Sequence, residues 1–236
     1  MTPYKSLNLA HNPFQMETIP NLQKRVAWPL PELEAFLEKP WQVYQIIGES
    51  GWGKTRFLFG FIGALKQHFP EMQRSILYHR LEEDRRSFQL SQTSVNFCVL
   101  DESQRLRFFD FRRLLQQVSQ KKLRLILATH HNHQRKLKKW KLRFETKIFQ
   151  PPSPALLAEI VQESLHSAAL EKKTPLHNIP VLALDTFQPL LEKSQFNLHK
   201  TRRILYEFYV KLDHLDTNPL KTWNWSQMQQ ILEFNG

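Results

Sequence analysis

One octet constrains this chain more than any other stretch: Gly48-Glu49-Ser50-Gly51-Trp52-Gly53-Lys54-Thr55, which reads G-x-x-x-x-G-K-T. Gly48 and Gly53 open backbone angles closed to other residues, so successive N–H groups can turn inward on an anion. A helix opened by such a loop adds the partial positive charge of its N-terminus to the same place. Lys54 would then reach the β- and γ-phosphates of a nucleotide, and the Thr55 hydroxyl would sit on Mg²⁺. The pattern has this meaning only between a strand and a helix. Val43-Tyr44-Gln45-Ile46-Ile47 before it reads as a buried strand, and Arg56 to Phe69 after it as an apolar helix stopped by Pro70. That context selects a nucleotide-binding loop over an ordinary glycine turn, with the whole octet from Gly48 through Glu49, Ser50, Gly51 and Trp52 to Thr55 as the binding segment.

The rest of the catalytic apparatus should lie at the ends of other buried strands. Ser75 to His79 reads as a second strand, followed by a charged turn from Glu82 to Arg86, and Val95-Asn96-Phe97-Cys98-Val99-Leu100 as a third. The third is nearly all apolar, as a strand covered on both faces must be, and it ends in Asp101-Glu102. Ligands bind at the carboxyl ends of strands in open parallel sheets. Asp101 is therefore placed to hold the Mg²⁺ shell and Glu102 to orient and polarise an attacking water. The plainer reading of the pair is the start of the helix Arg105 to Ser119. Leu123 to Ala128 reads as a fourth strand, running into Thr129-His130-His131-Asn132-His133. A polar side chain there can touch both the γ-phosphate and the water, with Thr129 the first candidate and Asn132 the second. The three histidines lack the spacing of a helical ligand pair and have no cysteine to complete a zinc set, which favours a polar loop.

Gln134 to Leu142 holds Arg135, Lys136, Lys138, Lys139 and Lys141, with Leu137 and Trp140 on one helical face. It can grip a phosphate backbone with Trp140 stacking on a base, or be a solvated helix face with an apolar underside. Arg143-Phe144 then opens Glu145 to Phe149, an outer fifth strand, and Pro151-Pro152 close the sheet region. Upstream, Met1 to Trp28 reads as an arm with Phe14 as a possible anchor, and a short helix from Glu32 to Glu38 leads into the first strand. Downstream, Ala155 to Leu170, Asp185 to Lys193, Asn197 to Leu215 and Ser226 to Phe234 read as helices, the first capped by Ser153 and the last by Ser226. The predicted organisation is an arm over 1–28, an α/β nucleotide domain over 29–152 with a parallel five-stranded sheet flanked by helices, and a small all-helical lid over 153–236.

These residues, in this order, resemble the AAA+ class of P-loop ATPases from about Pro29 onward. The resemblance rests on the loop Gly48 to Thr55, the strand ending in Asp101-Glu102, the strand ending at Thr129, Arg143 entering a strand, and the helical tail. It implies ATP and Mg²⁺ as ligands and a homo-oligomer, ring or filament, in which Arg143 is the finger supplied to the nucleotide of a neighbouring subunit. It also implies a lid arginine near an Asn-Leu step. Phe196-Asn197-Leu198-His199-Lys200-Thr201-Arg202-Arg203 fits that outline with His199 where the family often has arginine, so Arg202 is the candidate, with Arg203 and His199 beside it and an ordinary surface arginine as the other reading. Within the class the compact, basic layout is similar to initiator-like and transposon-associated members that bind DNA as oligomers.

Charge bears on the partner. The formal net charge is +11 and the pI about 9.8, an excess that favours an anionic partner, nucleic acid first and an acidic protein or membrane surface second. A single cysteine, Cys98, cannot form an internal disulfide. No apolar run approaches a bilayer span and no signal peptide is visible, so the expected location is cytoplasmic, away from membranes. The expected function is an ATP-hydrolysing oligomeric switch or motor acting on DNA or a DNA-bound complex. The alternative is a nucleotide-dependent regulatory or chaperone-like module that meets a protein instead.

Overall fold

In a computed structural model, residues 4, 7, 9–15, 28–83, 87–88, 90, 95–120, 123–169, 179–215 and 222–233 are described. Asp84 to Arg86 of the expected charged turn, and much of the expected arm, lie outside them. The chain divides into two compact units, one of Glu17–Gln150 and one of Met1–Met16 with Pro151–Gly236. The sequence reading treats the first residues as an arm on the nucleotide domain, whereas here they belong with the helical tail.

The first unit is a five-stranded parallel sheet in the order β2-β3-β4-β1-β5, from β1 (Val43–Ile47), β2 (Ile76–Arg80), β3 (Phe97–Asp101), β4 (Arg124–Thr129) and β5 (Phe144–Ile148). Alternation along each strand sends side chains to two separate cores. Val43, Cys98, Leu100, Leu125 and Leu127 face α3 (Phe108–Gln120) and α4 (Gln134–Lys139), through Phe111, Leu114, Leu115, Val118 and Leu137. Tyr44, Ile46, Phe97, Val99, Ile126 and Ala128 face α1 (Leu30–Glu38) and α2 (Lys54–His68). Burial on both faces is why these strands read as continuous apolar runs rather than alternating ones. A short 3-10 turn, Ser103–Arg105, separates β3 from α3, so the expected helix from Arg105 starts later, at Phe108. Trp140 packs against the core under α4, which supports the apolar-underside reading of that ring.

In the second unit α5 (Pro154–Ala168) begins where Ser153 Oγ accepts the Leu156 N–H at 3.2 Å. The expected helix from Asp185 is a 3-10 turn, Leu184–Thr186, followed by α6 (Phe187–Lys193). Pro189 has no N–H to donate back to Asp185, so α-helical bonding there would lack one link. α7 (Leu198–His214) is capped by Asn197. The final helix α8 (Trp225–Glu233) corrects the Ser226 cap: Asn224 Oδ1 accepts the Gln227 N–H at 3.0 Å while Gln227 Oε1 accepts the Asn224 N–H at 3.1 Å. This reciprocal pair needs a three-residue spacing, which Asn224 and Gln227 have. The tail is not purely helical either, because β6 (Val181–Leu182) and β7 (Thr222–Trp223) pair in parallel. Phe14 is buried in this unit and its ring lies 5.3 Å from that of Tyr209.

Candidate nucleotide site

The parallel registers bring three loops to one end of the sheet. Ile47 of β1 is level with Thr129 of β4 and Ile148 of β5, and Gly48 N–H donates to Thr129 O at 3.2 Å. The octet therefore leaves β1, between β4 and β5, at the carboxyl end of the sheet, where such sheets hold ligands. Gly51 (φ 82°) and Gly53 (φ 93°) both adopt positive φ, and Gly53 stands directly before the first turn of α2. Gly48 is required for a different reason. A Cβ added there would meet Phe149 Cβ at 3.0 Å and the Trp52 indole at 3.3 Å. The Trp52 ring thus folds back over Gly48.

Two charged side chains are buried in this end. Lys54 is only 5% exposed, and its ammonium donates to Gly48 O at 2.6 Å and Glu49 O at 2.9 Å. Burial lowers its pKa, against the pull of Glu102, Asp101 and Glu49 in the other direction. Asp101 is fully buried, and desolvation raises its pKa although the Thr55 hydroxyl bond opposes the shift. Its Oδ2 accepts from Thr55 Oγ1 at 2.9 Å and from the Tyr78 hydroxyl at 3.4 Å, and its Oδ1 from Glu102 N–H at 3.0 Å. Thr55 and Asp101 offer a hydroxyl and a carboxylate side by side at the mouth of the loop, oxygen donors of the kind a hard divalent cation takes. A desolvated carboxylate whose hydrogen-bond partners are two hydroxyls and one backbone N–H fits such an ion.

Glu102 has φ 58° and ψ 37°, an uncommon conformation for a side-chain-bearing residue. Three groups surround its carboxylate: Gln104 Nε2 donates to Oε2 at 2.6 Å, Arg105 Nε lies at 3.7 Å and His130 Nε2 at 3.9 Å. The other nitrogen of His130 lies 3.4 Å from Glu49 Oε2 in the phosphate loop. Thr129 is buried, and its Oγ1 accepts the His131 N–H at 2.9 Å. Asn132 Oδ1 instead accepts from Gln134 N–H at 2.9 Å and from Gln45 Nε2 at 3.4 Å, so it is engaged at the start of α4. His130 and Gln104 have no motif to announce them; adjacency to Thr129 and Glu102 is their only sequence signal.

One assigned residue of this unit, Arg143, stands apart from the cluster. Arg143 directly precedes β5, and its carbonyl accepts from Gln42 and Val43 at the entry to β1. Five residues of strand, about 16 Å, separate that level from the phosphate loop. Its side chain is exposed. In the helical unit, Arg202 Nε donates to Phe14 O at 2.9 Å and its Nη2 donates to Gln15 O. Arg203 pairs with Glu207 at 3.1 Å on an exposed face, and His199 N–H donates to the Asn197 cap.

Strand order, loop and strand-end carboxylate define a P-loop nucleotide-binding fold. Compared by sequence alone, the chain matches no family model and no curated protein. Its structure is similar to domain III of the Thermotoga maritima replication initiation protein DnaA, with TM-score 0.61 and 14% identity over 92% of this chain and 97% of that one. It is also similar to the Thermotoga maritima RuvB Holliday junction branch migration motor, with TM-score 0.56 and 14% identity over 90% and 68%. A third likeness is to Hsp104 in a closed state with ATPγS and casein, TM-score 0.54 and 13% identity over 92% and 43%. All three are AAA+ P-loop ATPases, and the fold of this chain is theirs.

Proposed function

We propose that this chain is a Mg²⁺-dependent ATPase subunit that works as a homo-oligomer and acts on DNA or a DNA-bound complex. The observation that carries the reading is the meeting of Thr55 and Asp101 at 2.9 Å across 46 residues of sequence, beside the buried Lys54 ammonium. Lys54 is the phosphate ligand, with the N–H groups of Glu49 to Gly53 around it. Thr55 and Asp101 hold Mg²⁺, which when bound neutralises charge on the transferring phosphoryl group. Glu102 orients the attacking water and takes its proton. Thr129, level with the end of β1, contacts the γ-phosphate. Arg143 serves the nucleotide of a neighbouring subunit, since its own loop lies at the other end of the sheet; guanidinium fingers typically contribute about 10³ to 10⁵ in rate. The division into a nucleotide domain and a helical lid, the lid arginine Arg202, and a cytoplasmic location complete the proposal. It is supported by the fold shared with DnaA, a replication initiation protein, and RuvB, a branch migration motor, and among the described residues no helix is long and apolar enough to cross a membrane.

Phosphate release tests the chemistry. Lys54→Ala and Glu102→Gln should each abolish turnover, and retention of wild-type rates in both would sink the assignment. Mixing tests the assembly: Arg143→Ala subunits keep an intact pocket and Lys54→Ala subunits keep an intact finger, so an equimolar mixture should recover turnover that neither variant has alone. Failure to recover, together with an ATP-indifferent monomer on sizing, would refute the shared site.

A further inference from the structure

The net positive charge of this protein is concentrated in one segment. Between Ser103 and Phe144 there are 13 lysines and arginines and one acidic residue, Asp110, against 33 and 22 in the whole chain. The remainder therefore has 20 basic and 21 acidic residues and is close to neutral. Six of these cations, all exposed, lie on two helices of the segment: Arg112 and Arg113 on α3 and Arg135, Lys136, Lys138 and Lys139 on α4. α3 and α4 cover the same face of the sheet, and they adjoin: the Lys136 ammonium of α4 lies 5.3 Å from the Phe111 ring and 5.9 Å from the Phe108 ring of α3.

Two aromatic rings stand out of this surface. Phe108 is 60% exposed and Phe109 76%, their centroids 5.6 Å apart and nearly perpendicular. The buried stripe of α3 is Phe111, Leu114, Leu115 and Val118, so neither ring is needed for the core. Arg112 and Arg113, both exposed, follow one turn later and are helical neighbours of Phe108 and Phe109 respectively. Solvated helix faces gather charge, but they do not display adjacent phenylalanines. Paired exposed rings among cations are what unpaired bases stack on, while the cations track the phosphates.

We infer that the α3–α4 face is a binding site for single-stranded nucleic acid, with Phe108 and Phe109 as the base-stacking platform and Arg112, Arg113 and Lys136 among its phosphate ligands. This rests on the nucleic-acid part of the proposed function and makes it specific: the preferred strand is unpaired. Trp140, for which stacking is one of two readings from sequence, is half-buried and packs against the core.

Fluorescence anisotropy of the full chain, with a labelled oligothymidylate and a duplex of equal length, tests it at low and moderate salt. The single strand should bind more tightly, and its affinity should fall steeply with salt. Phe108→Ser with Phe109→Ser should weaken the single strand by about tenfold or more and change duplex binding by less than about twofold; Phe108→Tyr with Phe109→Tyr should retain affinity. Arg112→Gln with Arg113→Gln should flatten the salt dependence, and it tests the same surface should the serine variant fold poorly. Unchanged single-strand affinity in the serine variant overturns the inference while leaving duplex-directed action standing. Loss of self-association with nucleic-acid binding intact also overturns it, assigning the rings to a second copy of the chain. No binding of either form at low salt overturns both the inference and the nucleic-acid reading.

Discussion

Replacing Asp101 by asparagine should make the ligand-free protein more stable and insensitive to Mg²⁺ and ATP. The carboxylate is fully buried and burial raises its pKa, so its charged form is held at a cost at neutral pH. The sign follows from linkage: a carboxyl that ionises at higher pH when folded loses stability as pH rises from its unfolded pKa, about 4, through the folded value. Asparagine removes that loss and keeps the shape. Its oxygen can still accept from Glu102 N–H, and its amide can donate to Thr55 Oγ1 at the 2.9 Å now bridged in the other sense. The bond from Tyr78, already 3.4 Å long, is the one sacrificed. A net gain is therefore expected at pH 7 and none below about pH 4. For a chain of this size each 1 kcal/mol gained raises Tm by about 2 to 4 °C. Saturating Mg²⁺ and ATP at about 100 Kd should add about 2.7 kcal/mol to the wild type, and almost nothing to the variant. Thermal unfolding at pH 4 and pH 7, with and without Mg²⁺ and ATP, measures all four numbers. A variant less stable at pH 7, or one still stabilised by Mg²⁺ and ATP as the wild type is, would show that Asp101 is a structural anchor and not a cation ligand.

Gly48→Ala should cost about 1 to 3 kcal/mol by crowding Phe149 and Trp52, and it should weaken nucleotide binding in a titration with a fluorescent ATP analogue, because the loop must shift to make room. His133 is buried, its ring 4.8 Å from Phe111, and burial with nearby Lys136 lowers its pKa to about 4. Since the unfolded histidine takes its proton at higher pH, wild-type stability should fall by on the order of 2 to 3 kcal/mol as pH drops from about 6.5 to 4; urea unfolding of His133→Leu should lack that component. Asn224→Ala breaks the reciprocal cap of α8 and should lower stability by about 1 kcal/mol, seen as a reduced midpoint in the same titration.

The parts of the candidate site were legible in the sequence because they are local signals: an octet with two glycines in fixed places, and apolar runs ended by polar residues. All five strands are found within a residue or two of their expected bounds; β1, β3 and β4, buried on both faces, show as mostly apolar runs, while the edge strands β2 and β5 are only partly buried. What it left hidden depends on contacts between distant residues. His130 faces Glu49 and Glu102 only because β1, β3 and β4 end side by side, and no pattern of one strand end records its neighbours. The β6–β7 pair has two residues per strand, too short for periodicity to register. Asn224 escaped because Ser226 is also a good cap, and only the partner Gln227 decides between them. The bonds of Arg202 to the Phe14 and Gln15 carbonyls join segments nearly two hundred residues apart. Sequence distance of that size carries no local signature.

The two buried charges of the site also define the kind of ligand it is built for. Lys54 and Asp101 are desolvated, opposite in sign and close in the fold, yet no hydrogen bond or ion pair joins them; the ammonium donates to two loop carbonyls and the carboxylate accepts from Thr55, Tyr78 and Glu102. A structural salt bridge would have let each relieve the other. Here the hydrogen-bond partners of each are uncharged groups, so a ligand that brings an anion to Lys54 and a cation to Asp101 would relieve both further. A simple anion satisfies half of the site and sets its negative charge beside an unrelieved carboxylate. A polyphosphate with a divalent cation satisfies both halves at once. ATP with a chelator should therefore raise the melting temperature much less than ATP with Mg²⁺, and in Asp101→Asn the two conditions should converge, because the repulsion that separates them has been removed along with the cation's ligand.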